Sequence, residues 1–88
     1  MLAFAVENVG QSPVYKAWID AEGGVLVDPY QVKNVPTESM MMEVLGPNED
    51  IPFIFQHGRQ GFARVRLHYK HRAEDPQNQV WSATLPAE

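Results

Sequence analysis

The segment FARVRLHYKH, residues 62–71, carries Arg64, Arg66, His68 and Lys70 at every second position. Side chains alternate across an extended strand, so these four share one face at intervals of about 6–7 Å. A row of cations at that spacing could grip an acidic protein, a phosphate-bearing polymer or an anionic surface. Arg59, in the loop just before, adds to the same charge. The competing role is structural: a solvated face whose cations pair across strands with acids such as Glu43 or Glu7. Proteins that read single-stranded nucleic acid place aromatic rings among their cations. This face offers only Phe62, at its start, so nucleic acid is the least favoured partner.

Metal and catalytic chemistry find little to build on. His68 and His71 are three residues apart and fall on opposite faces of a strand, while His57 sits in a loop. Zinc requires three or four converging ligands, and this spacing does not supply them. The acids Asp20, Glu22 and Asp28, and the run Asn48-Glu49-Asp50, do not follow the spacing of a calcium loop. The chain has no cysteine, which removes disulfides, zinc-thiolate sites and thiol nucleophiles. It also has no Gly-x-Ser-x-Gly and no phosphate-cradling glycine loop. Ser12, Ser39 and Ser82 fit turns and strands. The expectation is a non-enzymatic protein with no catalytic residue, metal or cofactor.

The elements that would position the stripe are strands. In residues 62–71, Ala63, Val65, Leu67 and Tyr69 alternate with the cations, a period of two. Further strands are expected at Leu2 to Val9, Val14 to Asp20, Val25 to Lys33, Ser39 to Leu45, Ile51 to Gln56 and Val80 to Leu85. Pro29 cannot donate to a ladder, so the third of these is an edge strand or is broken there. Short connections separate the strands: Gly10-Gln11-Ser12-Pro13, Glu22-Gly23-Gly24, Gly46-Pro47-Asn48, residues 57–61, and Asp75-Pro76-Gln77-Asn78. In the first, Gly10 can take a positive φ and Pro13 fixes the chain before Val14. Seven short strands with this punctuation predict an all-β sandwich.

Eighty-eight residues give room for a single domain over 1–88 with one core and no deep internal active site. Composition is that of a globular chain, 44% apolar and 20% charged. The net charge of −4 argues against general affinity for nucleic acid. Yet residues 57–72 hold five Lys or Arg and no acid, so the positive charge is concentrated there. No apolar run reaches the roughly 18 residues of a membrane helix. The start, MLAFAVENVG, lacks a basic n-region and reads as a poor signal peptide. The absence of cysteine leaves the cellular compartment open.

The segment Asn8-Val9-Gly10, then Pro13-Val14-Tyr15 and Ile19, resembles bacterial immunoglobulin-like domains of the fibronectin III and CARDB kind. Those domains have a strand ending in Asn-x-Gly, a proline turn, and a strand with a small or apolar residue after the proline. Leu45-Gly46-Pro47-Asn48-Glu49 is similar to a later turn of the family, and Val65-x-Leu67-x-Tyr69 to its Val-x-Val-x-Tyr strand. The glycine of the Leu45 turn precedes its proline, and a longer polar loop follows the tyrosine strand, both departures from the pattern. The resemblance implies an immunoglobulin-like antiparallel sandwich used for adhesion, spacing or protein contact. It supplies no catalytic residue.

Two apolar features could mark an interface. Trp18 is opposite in phase to Tyr15, Ala17 and Ile19, so it is either the core anchor or an exposed contact. Met40 and Met42 share one strand face and Met41 takes the other, so at least one methionine lies near the surface. Exposed Trp and Met would form an apolar patch. The expected function is a protein-binding or structural module, contacting through Arg59, Arg64, Arg66, His68, Lys70 and Trp18 or through a free sheet edge. The expected partner is another protein or a second copy, a homodimer joined at an edge. The alternative is a polyanion-binding module using residues 62–72.

Overall fold

A computed structural model describes residues 2–27, 41–58 and 63–85. It contains β1 (Leu2–Glu7), β2 (Val14–Glu22), β3 (Gly24–Val27), β4 (Met42–Leu45), β5 (Asp50–His57), β6 (Ala63–Lys70) and β7 (Gln79–Leu85). They form two antiparallel sheets, ordered β1-β5-β3 and β4-β2-β6-β7, packed as an all-β sandwich. Seven strands match the period-two reading, with ends shifted by a few residues. Of the strands expected at Val25 to Lys33 and Ser39 to Leu45, only Gly24–Val27 and Met42–Leu45 are strand among the described residues. Residues 28–40, with Pro29 and Met40, lie outside them. So do residues 59–62, with Arg59 and Phe62.

Alternation decides which side chains fill the core. Ile51, Phe53 and Phe55 of β5 are buried at every second position, as are Ala63, Val65 and Leu67 of β6. Ile19 and Ala17 of β2, Leu45 of β4, Leu85 of β7 and Val6 of β1 complete it. The rings of Phe4 and Phe53 stack with centroids 5.7 Å apart. Burying a large aliphatic or aromatic side chain is worth about 1.5–3 kcal/mol, which makes this set the main source of stability.

β5 runs through the middle of its sheet yet contains Pro52. The register explains the tolerance. The Asn8 N–H donates to the Glu49 carbonyl at 2.9 Å, just past the β1 pairing of Glu7 with Asp50. Even-numbered residues of β1 therefore exchange ladder bonds with β5, and the Ala5–Pro52 pair is a non-hydrogen-bonded one. Pro52 turns its ring nitrogen towards β3, and the described β3 pairing stops at Val27–Ile54. The missing donor therefore interrupts no bond of the described ladders.

Asn8 ties two turns together. Its side-chain amide donates to the Ser12 carbonyl and to the Leu45 carbonyl, both at 3.0 Å. Its Oδ1 accepts from the Gly10 N–H at 3.0 Å, and its own carbonyl accepts from the Asn48 N–H at 2.7 Å. Gly10 does not have a positive φ, contrary to the expectation from sequence. The Asx turn made by Asn8 closes the bend instead. Positive φ falls on Gly23 (84°), Asn48 (65°) and Lys16 (52°). With Pro47 before it and a Glu49 N–H to Gly46 carbonyl bond of 3.1 Å around it, Asn48 occupies the third position of a type II turn. Glu49 closes that turn with its carboxylate on the Gly46 N–H at 2.7 Å.

Lys16 marks a one-residue bulge. Tyr15 lies opposite Lys70, but Trp18 lies opposite His68, so β2 spends one extra residue between them. The bulge overturns the strict alternation read from sequence. Tyr15 and Trp18 end up on the same outward face of the four-stranded sheet, while Ala17 and Ile19 stay in the core.

Candidate protein-contact face

The outer face of the β4-β2-β6-β7 sheet gathers most of the residues singled out from sequence. Arg64, Arg66, His68 and Lys70 do point outward together, opposite the buried Ala63, Val65 and Leu67. Their partners differ from those expected. Asp20 and Glu22 of β2 lie beside them because β2 and β6 are adjacent and antiparallel, pairing Asp20 with Arg66 and Glu22 with Arg64. Glu43 instead approaches Lys16 at 3.5 Å. Glu7 lies on the other sheet.

Arg66 is the centre of the polar half. Its Nε and Nη2 donate to the two oxygens of Asp20 at 2.7 and 3.2 Å, a forked pairing, and its Nη1 donates to Glu22 at 2.5 Å. Hydrogen bonding to Asp20 is the main cause holding the guanidinium more firmly in its charged form; partial desolvation works against it, and the charges of Asp20 and Glu22 add to it. His68 Nε2 lies 3.1 Å from Asp20 Oδ2. Lys70 reaches the Asp75 carbonyl at 2.7 Å, and Asp75 accepts from the Arg72 N–H at 3.2 Å, so this cation fastens the β6–β7 connection. Arg64 is the one member of the row that is exposed and unpaired among the described residues. Two acids sit within the stripe, and its field is correspondingly mixed in sign.

The other half of the face is aromatic and apolar. Trp18 is not a core anchor: it lies flat on the His68 ring, centroids 3.7 Å apart and planes 4° from parallel. Val80 continues that row on the far side of His68 and is 57% exposed. Tyr15 faces Lys70 on one side and Val44 on the other, and Val44 is 47% exposed. Met41 is exposed near the same edge, while Met42 packs partly against the core. Sequence reasoning missed Tyr15, Val44 and Val80 as members of this patch. The bulge is the reason for Tyr15, and strand pairing, which sequence does not give, is the reason for the valines.

Several polar groups of the face are already engaged with one another. The Nε2 of His68 is engaged by Asp20 and its ring face by Trp18. Ser82 lies opposite Arg66, two pairs along from His68, and shares no hydrogen bond with it. Among the described residues no group of three or more His, Asp or Glu could hold a metal ion. His71 lies past the end of β6, its ring edge-on to Tyr69 at 5.5 Å. No helix among the described residues is long and apolar enough to cross a membrane. No protein-family model matches the chain, and neither does any curated protein or solved structure.

Proposed function

We propose that the chain is a non-enzymatic protein-binding module, an immunoglobulin-like sandwich that contacts its partner through the outer face of the β4-β2-β6-β7 sheet. The observation that carries this reading is the row Trp18, His68 and Val80 with Tyr15 and Val44 beside it, bordered by the Asp20–Arg66–Glu22 cluster. Trp, Tyr and Arg are the residues that most often dominate binding energy at protein interfaces, with a polar rim around an apolar centre. The pairing of Arg66 also favours a protein partner over a polyanion. A phosphate polymer would have to displace Asp20 and Glu22 or rely on Arg64 as the unpaired cation of the described row, and both acids would repel it.

The test compares capture from native lysate by the wild type, a Trp18→Ala/Val80→Ser variant and an Arg64→Glu variant, each checked for folding by circular dichroism. The expected result is a partner held by the wild type and by Arg64→Glu but lost from the double variant. Retention of heparin or polyphosphate, falling steeply as salt rises and abolished by Arg64→Glu, would instead establish the polyanion reading.

A further inference from the structure

Trp81 is out of place by the rule that orders the rest of β7. It lies opposite Leu67, as Ala83 lies opposite Val65 and Leu85 opposite Ala63, so all three turn towards the core. Leu85 is buried and Ala83 partly so, yet Trp81 is 48% exposed. Among the described strands the facing sheet has three against four and ends at β1. Between the edge of β1 that no described strand pairs and the inner side of β7 runs an opening of about 340 Å³, floored by Leu67, Tyr69 and Trp81 and walled by Ala5 to Gly10.

We propose that this ledge receives one extended strand of a partner protein, added to β1 in the antiparallel sense. The backbone supplies the first reason. Since the even-numbered residues of β1 bond to β5, the N–H and C=O of Ala3, Ala5 and Glu7 point away from it, along an edge no described strand covers. A strand laid there turns every second side chain down onto Leu67, Tyr69 and Trp81, so those positions are apolar.

The charge at one end sets the rest of the partner's chemistry. Glu7 lies directly opposite Asp50; both are exposed and neither has an ion-pair partner among the described residues. Like charges so placed repel, and a cation on the incoming strand beside Glu7 would relieve them. The occupant is therefore a strand of alternating apolar residues with Lys or Arg at the end nearest Glu7. A second folded copy does not fit. Its β1, Leu2–Glu7, carries no Lys or Arg and would bring no cation to Glu7. This surface shares no residue with the Trp18 face, and the proposal stands independently of it.

The probe is a fluorophore-labelled peptide, Lys-Val-Thr-Val-Thr-Val-Gly, capped at both ends, whose lysine falls beside Glu7 in the antiparallel register. Binding is read by anisotropy up to about 1 mM, the weak end of specific association. Saturable binding is expected, with slowed amide exchange at Ala3, Ala5 and Glu7. Trp81→Ala and Ala5→Pro should each weaken it by about tenfold or more, the second because it deletes one edge N–H without touching the β5 ladder. Trp18→Ala should leave the affinity unchanged. Glu7→Lys should weaken the lysine peptide and restore binding to a version beginning with glutamate. Should Ala5→Pro fail to fold, Trp81→Ala and the exchange pattern decide. Absence of binding, equal binding to a proline-interrupted peptide, or indifference to Trp81→Ala overturns the proposal. So does a concentration-dependent dimer dissociated by Trp81→Ala, which would make a second copy the occupant.

Discussion

Lys16 holds a φ of 52°, a left-handed conformation that costs an L-residue about 1–2 kcal/mol. Replacing it by glycine and, separately, by alanine isolates that cost, because both changes delete the ion pair with Glu43. The pair itself matters little: Glu43 is 75% exposed and the separation is 3.5 Å, so its loss costs about 0–1 kcal/mol in either variant. At an ordinary strand position glycine is less stable than alanine by roughly 0.5–1 kcal/mol, from its greater freedom in the unfolded chain. Here relief of the left-handed strain exceeds that penalty, leaving glycine ahead of alanine by about 0.5–1 kcal/mol. For a domain of this size that is a rise in Tm of about 2–8 °C for Lys16→Gly over Lys16→Ala. Thermal unfolding followed by circular dichroism, with urea midpoints as a second measure, reads the difference. If the alanine variant proves the more stable, the left-handed bulge is wrong, and with it the argument that Tyr15 and Trp18 share a face.

Substitutions at two further positions probe the turns and the crossing between sheets. Asn8→Ala removes an amide that serves the Ser12 and Leu45 carbonyls and an oxygen that serves Gly10, and should cost about 1–3 kcal/mol in urea unfolding. Asn8→Asp keeps the bond to Gly10 but sets a carboxylate against two carbonyls, so it should be at least as damaging as alanine. Gly24→Ala would place a Cβ 2.3 Å from the Gln56 carbonyl and 2.4 Å from the Phe55 ring, and a loss of about 1–3 kcal/mol or more is expected from the same measurement.

Much of the framework could be read from one-dimensional pattern because it is dictated locally. Alternation in residues 63–70 placed Val65 and Leu67 inside and Arg66 and His68 outside, and the structure agrees. The turns at Asn8–Pro13 and Gly46–Asn48 were equally visible, through residues whose side chains or rings favour bends. What escaped were properties that depend on partners distant in sequence. Asp20 gives no local sign that it will face Arg66 across 46 positions, so the stripe's charge was overestimated. The bulge at Lys16 inverted the phase of Tyr15, because lysine is not a residue that advertises a left-handed turn. Trp81 lay inside a recognised strand, but its exposure follows from the width of the opposite sheet.

The order of pairing also governs how the chain reaches its structure. β1 and β3 both wait for β5, and β2, though flanked by β4, waits for β6; among the described strands only β6 and β7 join neighbours in sequence. Nearly every ladder therefore closes a loop of many residues before its contacts repay the lost chain entropy. Folding on the millisecond-to-second scale follows, typical of sandwiches dominated by distant pairings. During synthesis β1 and β3 have no described ladder partner until β5 has been made, and β2 has β4 alone until β6 follows. Residues 1–56 carry a net negative charge, and like charge on neighbouring unfinished chains opposes their association while the sheets are still incomplete.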